Sequence, residues 1–121
     1  LPQESTTKLE VSRAELLAAV KRVSLVTTDK TKAVRFKLIG GSLLISSSSP
    51  EYGEASESLS VEQTGPDTTI GFSSRYVLDL LNSMSANEKI VIKLNEEDKP
   101  GMFQGTNDDQ YTCIVMPMRF E

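Results

Sequence analysis

The chain has no histidine and a single cysteine among its 121 residues, and both shortages narrow the chemistry open to it. Without histidine there is no Ser–His–Asp or Cys–His arrangement and no imidazole metal ligand, and the commonest general base is missing. One cysteine, Cys113, excludes an internal disulfide, which fits a reducing compartment. It lies in an apolar stretch and reads as a small core residue rather than a reactive thiol. No apolar run approaches the roughly 20 residues of a membrane helix. No Gly-rich phosphate loop, metal-ligand spacing or nucleophile elbow is present. The carboxylates an enzyme would draw on, Glu54 and Glu57 or Glu96, Glu97 and Asp98, fall where strand-edge and turn residues are expected. Positive charge is also in deficit: 13 Lys and Arg stand against 17 Asp and Glu, a net charge of −4. That argues against a surface that grips nucleic acid all round, but leaves room for one face that does. The chain starts at Leu1-Pro2 with no initiator methionine and no signal peptide. We expect a processed product or a fragment cut at a domain boundary.

What is present points to one domain, residues 1–121, large enough to bury about two thirds of its unfolded surface. Hydrophobic residues make up 38% and charged residues 25%, as in an ordinary globular protein. Residues 1–7 read as a linker, and Lys8 to Val11 as a short alternating strand. Ser12-Arg13-Ala14-Glu15 is a capping box. The helix that follows, to about Ser24, carries Leu16, Val20 and Val23 on one stripe with Leu17 on its flank, and Ala14, Ala18, Lys21 and Arg22 on the far side. Val34, Phe36 and Leu38 alternate with Arg35 and Lys37 along a strand. Gly40-Gly41 predicts a tight hairpin turn, Ser42 to Ser49 the return strand, and Glu51 to about Glu62 a long third strand. Thr64-Gly65-Pro66-Asp67 is a strong turn signal.

Then the order repeats. Thr68 to Phe72 is a strand, Ser73 or Ser74 caps a helix to about Met84, and strands follow at Glu88 to Asn95, Met102 to Gly105 and Tyr111 to the end. Ser-Arg opens both helices, 62 residues apart. Strand, helix, three strands, said twice, predicts an α+β fold of two β-α-β-β-β units, with two helices on one side of antiparallel sheet.

The closing stretch Ile114-Val115-Met116-Pro117-Met118-Arg119 begins as a strand and stops behaving like one at Pro117, which has no N–H for a ladder. Soft thioethers flank the proline, and Arg119 offers a fork of donors. Together with Ser74-Arg75-Tyr76-Val77-Leu78-Asp79-Leu80-Leu81-Asn82, the acidic strand from Pro50 to Glu57 and the doubled element order, this ending resembles the third domain of the bacterial sliding clamp, the β subunit of DNA polymerase III. The resemblance covers essentially the whole chain. Two departures stand out: Phe120 and Glu121 follow Arg119 where the family commonly ends in Leu, and these 121 residues are expected to hold the third domain without the family's first two.

The resemblance implies a non-catalytic role in the bacterial cytoplasm, with no cofactor, metal or membrane. A clamp is a homodimeric ring around duplex DNA, bound through the backbone without sequence specificity; it tethers a polymerase and so raises its effective concentration at the primer end. The helices would line the hole, with Arg13, Lys21, Arg22 and Arg75 facing DNA. A peptide pocket for polymerase and clamp-loader motifs would use Ser73, Tyr76, Ile114, Val115, Met116, Pro117, Met118 and Arg119. A head-to-tail subunit interface would use Leu25, Val26, Glu51, Glu54 and Glu57. The competing expectation is a stand-alone β-rich interaction domain that shares only the architecture.

Overall fold

The computed structural model describes residues 7–27, 33–85, 88–95, 99–106 and 112–117, with the backbone alone for 112–114. Its elements run β1 (Thr7–Ser12), α1 (Arg13–Val23), β2 (Ala33–Ile39), β3 (Ser42–Ser49), β4 (Gly53–Ser60), β5 (Glu62–Thr64), β6 (Thr68–Ser73), α2 (Ser74–Ser83), β7 (Lys89–Leu94), β8 (Gly101–Gly105) and β9 (Thr112–Val115). A 3-10 turn, Ser24–Val26, continues α1. The α+β reading holds, and the strand–helix–strands order is doubled, with four strands after α1 and three after α2.

The strands form two antiparallel sheets. One has the order β5-β1-β7-β8-β9 and the other β4-β3-β2-β6. Each unit contributes its first strand to the other unit's sheet: β1 pairs with β7, and β6 pairs with β2. The two halves are therefore interlocked. Alternation sets which side faces in: Val34, Phe36, Leu38, Leu43 and Ile45 are buried, while Arg35 and Lys37 are exposed. Phe36 and Phe72 of one sheet meet edge to face at 5.4 Å, and Phe72 meets Phe103 of the other sheet at 5.7 Å, a geometry aromatic quadrupoles favour. This aromatic row ties the two sheets into one core with the helix residues Leu16, Val20, Val23, Val77 and Leu81.

Local signals explain the boundaries. Ser12 Oγ accepts the Glu15 N–H at 3.3 Å and Ser73 Oγ the Tyr76 N–H at 3.3 Å, so each helix starts on a serine cap. Gly40 and Gly41 have φ of 52° and 83°, the left-handed pair a two-residue hairpin turn demands. Side chains from 22 and 27 residues further on secure that turn: Gly41 N–H donates to Gln63 Oε1 at 2.8 Å and Gly40 N–H to Asp67 Oδ1 at 3.0 Å.

Two sequence expectations are corrected. Thr7 is not linker: it is buried, pairs with Leu94, and its hydroxyl donates to the Pro66 carbonyl at 2.6 Å, which satisfies the one polar group that burial would penalise. The strand expected from Glu51 to Glu62 is two strands. It breaks at Val61, whose N–H donates to the Gly41 carbonyl at 2.9 Å, and β5 crosses to the edge of the other sheet.

Candidate functional site

Three groups of side chains were expected to act, and the structure treats them differently. At the tail, the described chain ends at Pro117, so Met118 and Arg119 lie outside the described residues. Ile114 pairs through its backbone with Met102; its side chain, like that of Cys113, is outside what is described. Val115 is only 1% exposed and belongs to the core, so it backs the surface rather than presenting to it. Met116 is 66% exposed and Pro117 half-buried. Tyr76, on the first turn of α2, is 54% exposed, and α2 packs against β9. Two large apolar side chains thus face solvent, one on the first turn of α2 and one just past β9, two elements that pack together. Ser73 holds the start of that helix through its cap.

On the helices, the start of α1 lies beside the end of α2. Arg13 Nη1 donates to the Leu81 carbonyl at 3.1 Å, where the negative end of a helix dipole favours a cation. Arg13 is half-buried there, and Lys21 and Arg75 are exposed. Arg22 is turned toward β4: its Nε and Nη2 donate to Glu57 Oε2 and Oε1 at 2.9 and 2.8 Å. Hydrogen bonding from Arg22 is the main reason the Glu57 carboxyl is held below its ordinary range, and the same bond raises the guanidinium further. No local signal foretells this pair, whose members are 35 residues apart.

At the edge, Leu25 is 79% exposed in the 3-10 turn and Val26 half-buried, so Leu25 does not tuck beneath the sheet. β4 is an edge strand, as expected, but its acids do not form one row. Glu51 precedes the strand. Glu54 lies opposite Ser48 and lines an outer-face cavity of about 320 Å³ with Arg35, Ser46 and Ser56. Glu57 is an odd number of positions further on, so it points to the other face, toward α1. Tyr52 is 66% exposed and lies in the turn before β4, although the expected strand began at Glu51.

The comparison with known proteins identifies the family. The profile described as "DNA polymerase III beta subunit, C-terminal domain" matches residues 1–119.

The chain belongs to that family.

Among similar proteins, the beta sliding clamp of Vibrio cholerae is 29% identical over 119 residues, which is 98% of this chain and 32% of that protein. That of Pseudomonas putida is 31% identical over the same shares. The crystal structure of the DNA polymerase III beta subunit from Thermotoga maritima superposes with a TM-score of 0.94 at 29% identity, covering all of this chain and 33% of that one. The chain therefore spans about a third of the length of the clamps it matches. These relatives are bacterial. Among the described residues of this beta-subunit domain, no helix is long and apolar enough to cross a membrane.

Proposed function

We propose that this chain serves as the C-terminal domain of a ring-forming processivity clamp. The ring encircles duplex DNA without reading sequence and holds polymerase and clamp-loader subunits by short apolar peptide motifs. The role needs no catalytic group. What carries the reading is the exposed apolar pair Tyr76, on α2, and Met116, just past the β9 strand that packs on α2, in a domain of the clamp family. An apolar peptide side chain laid there would remove surface from water at roughly 25 cal/mol per Å², with Pro117 giving a fixed wall. Met118 and Arg119, beyond the described residues, belong to the same proposed pocket, as does Ile114.

DNA contact is assigned to Lys21 and Arg75, which are exposed and make no ion pair among the described residues. Such cations meet phosphates rather than bases, and few of them suit a protein that slides, since each engaged phosphate adds about −0.9 to the salt slope. The subunit contact is assigned to Leu25 and Val26, in the turn that packs on β4, and to Glu51 and Glu54 before and on the β4 edge, where charge also discourages unwanted strand pairing. In a head-to-tail contact these meet an unlike surface of a second copy.

The test is titration of this chain with a fluorescent peptide bearing two adjacent apolar residues. Tyr76→Ala and Met116→Ala should each weaken binding several-fold. The whole clamp should bind more tightly than this chain, because the pocket's other wall comes from the preceding domain. Equal affinity for chain and whole clamp, or no effect of either substitution, would refute the pocket.

A further inference from the structure

Arg22 and Lys21 are neighbours in the last turn of α1, yet they present very different charges. Lys21 is exposed and makes no ion pair among the described residues. The Arg22 fork is closed on Glu57, with Nε to Oε2 at 2.9 Å and Nη2 to Oε1 at 2.8 Å. Both carboxylate oxygens are used, and two of the guanidinium's five donors. From a distance such a pair acts as a dipole rather than a unit charge. It is also open to water, the side chains being 56% and 30% exposed, so an anion or cation of suitable geometry can compete for either partner. Glu57 is special among the β4 acids in facing α1, while Glu54 faces outward beside Arg35.

We propose that Glu57 withholds Arg22 from phosphate, and that Arg22 joins Lys21 and Arg75 on the DNA face only when the Glu57 carboxylate is neutralised. Because Glu57 lies on an edge strand, a cation brought to that edge by a docked partner supplies the natural means. Occupation of the β4 edge and attraction for DNA are then coupled through one ion pair. This rests on the DNA-facing reading of α1 and α2 given above.

The experiment measures binding of this chain to a labelled duplex of arbitrary sequence, by fluorescence anisotropy at several salt concentrations. It compares the wild type with Arg22→Gln, Glu57→Gln, the double variant, and Lys21→Gln with Arg75→Gln; circular dichroism melts check that each is folded. Arg22→Gln should leave the salt slope unchanged, because no phosphate contact is lost, and should weaken binding only through the uncovered Glu57 carboxylate. Glu57→Gln should tighten binding about two- to fivefold, the range expected from releasing an exposed pair, and steepen the salt slope by about 0.9. The steepened slope should be absent when Glu57→Gln is made in the Arg22→Gln background, where there is no guanidinium to release. If Glu57→Gln changes affinity and salt slope as much in the Arg22→Gln background as in the wild type, Glu57 acts only through net charge, and that would overturn the proposal. So would a loss on Arg22→Gln as large as that from Lys21→Gln with Arg75→Gln. Absence of binding by the wild type and every variant, even at low salt, would overturn the DNA-facing reading itself and this proposal with it.

Discussion

Gly101 makes room for the ring of Phe72: a Cβ at position 101 would come within 2.9 Å of Phe72 Cζ and 3.1 Å of Leu94 Cδ2. Gly101 opens β8 in one sheet and Phe72 belongs to β6 in the other, so this contact sets how closely the two sheets approach. Both neighbours are fully buried and cannot swing into solvent. Gly101→Ala should therefore cost about 1–3 kcal/mol, the usual range for overpacking a core. Urea unfolding checks it, and an unchanged midpoint would mean that the ring can shift without loss.

The strap across the hairpin turn titrates. Asp67 accepts from the Gln63 side chain at 2.9 Å and from the Gly40 N–H at 3.0 Å, and these bonds, Gln63's first, hold its carboxyl below the usual aspartate range. A lowered folded pKa means that the stabilisation is complete above the unfolded value and is lost as pH falls through the folded one. The difference in urea midpoint between the wild type and Asp67→Ala should thus be constant near neutrality and shrink below about pH 4. A difference that grows on acidification would contradict this assignment.

Ser73 is expected to act on peptides only through the helix it caps. Ser73→Ala removes the acceptor for the Tyr76 N–H and should cost about 1 kcal/mol of stability, the typical value for a lost N-cap. Thermal melting reads this directly. Ser73→Asp restores the cap, so stability and peptide affinity should recover together. Recovery of stability alone would point to a direct contact between the Ser73 hydroxyl and the peptide.

Leu25 separates folding from assembly. At 79% exposure, Leu25→Asp should change the stability of this chain by no more than about 0.5 kcal/mol, as for a surface position. In a chain of the clamp relatives' full length, Leu25→Asp combined with Val26→Asp should give monomers by light scattering. A persisting dimer would refute the proposed interface.

Much of the fold was legible because local physics fixes it. Serine caps, the Gly40-Gly41 turn and the alternation of Val34, Phe36 and Leu38 with Arg35 and Lys37 depend on residues within a few positions of one another. The apolar ending around Met116 and Pro117 was local too, and it carried the resemblance that led to the family, whereas Tyr76 entered only through that resemblance. Reading failed where a distant partner decided the outcome. Thr7 looks like the end of a polar leader until β7 and Pro66 are beside it. Arg22 looks like another cation of α1 until Glu57 meets it.

The sequence by itself determined the elements, their doubled order and which side of each is apolar, because side-chain spacing and backbone preference act within a few residues. Only the tertiary structure decided that β1 and β6 each join the other unit's sheet, that β5 leaves the strand it seemed to continue, and that Arg22 is claimed by Glu57. Those outcomes depend on pairing between positions far apart along the chain, where many partners satisfy the same local pattern and only the shared core around Phe36, Phe72 and Phe103 selects among them.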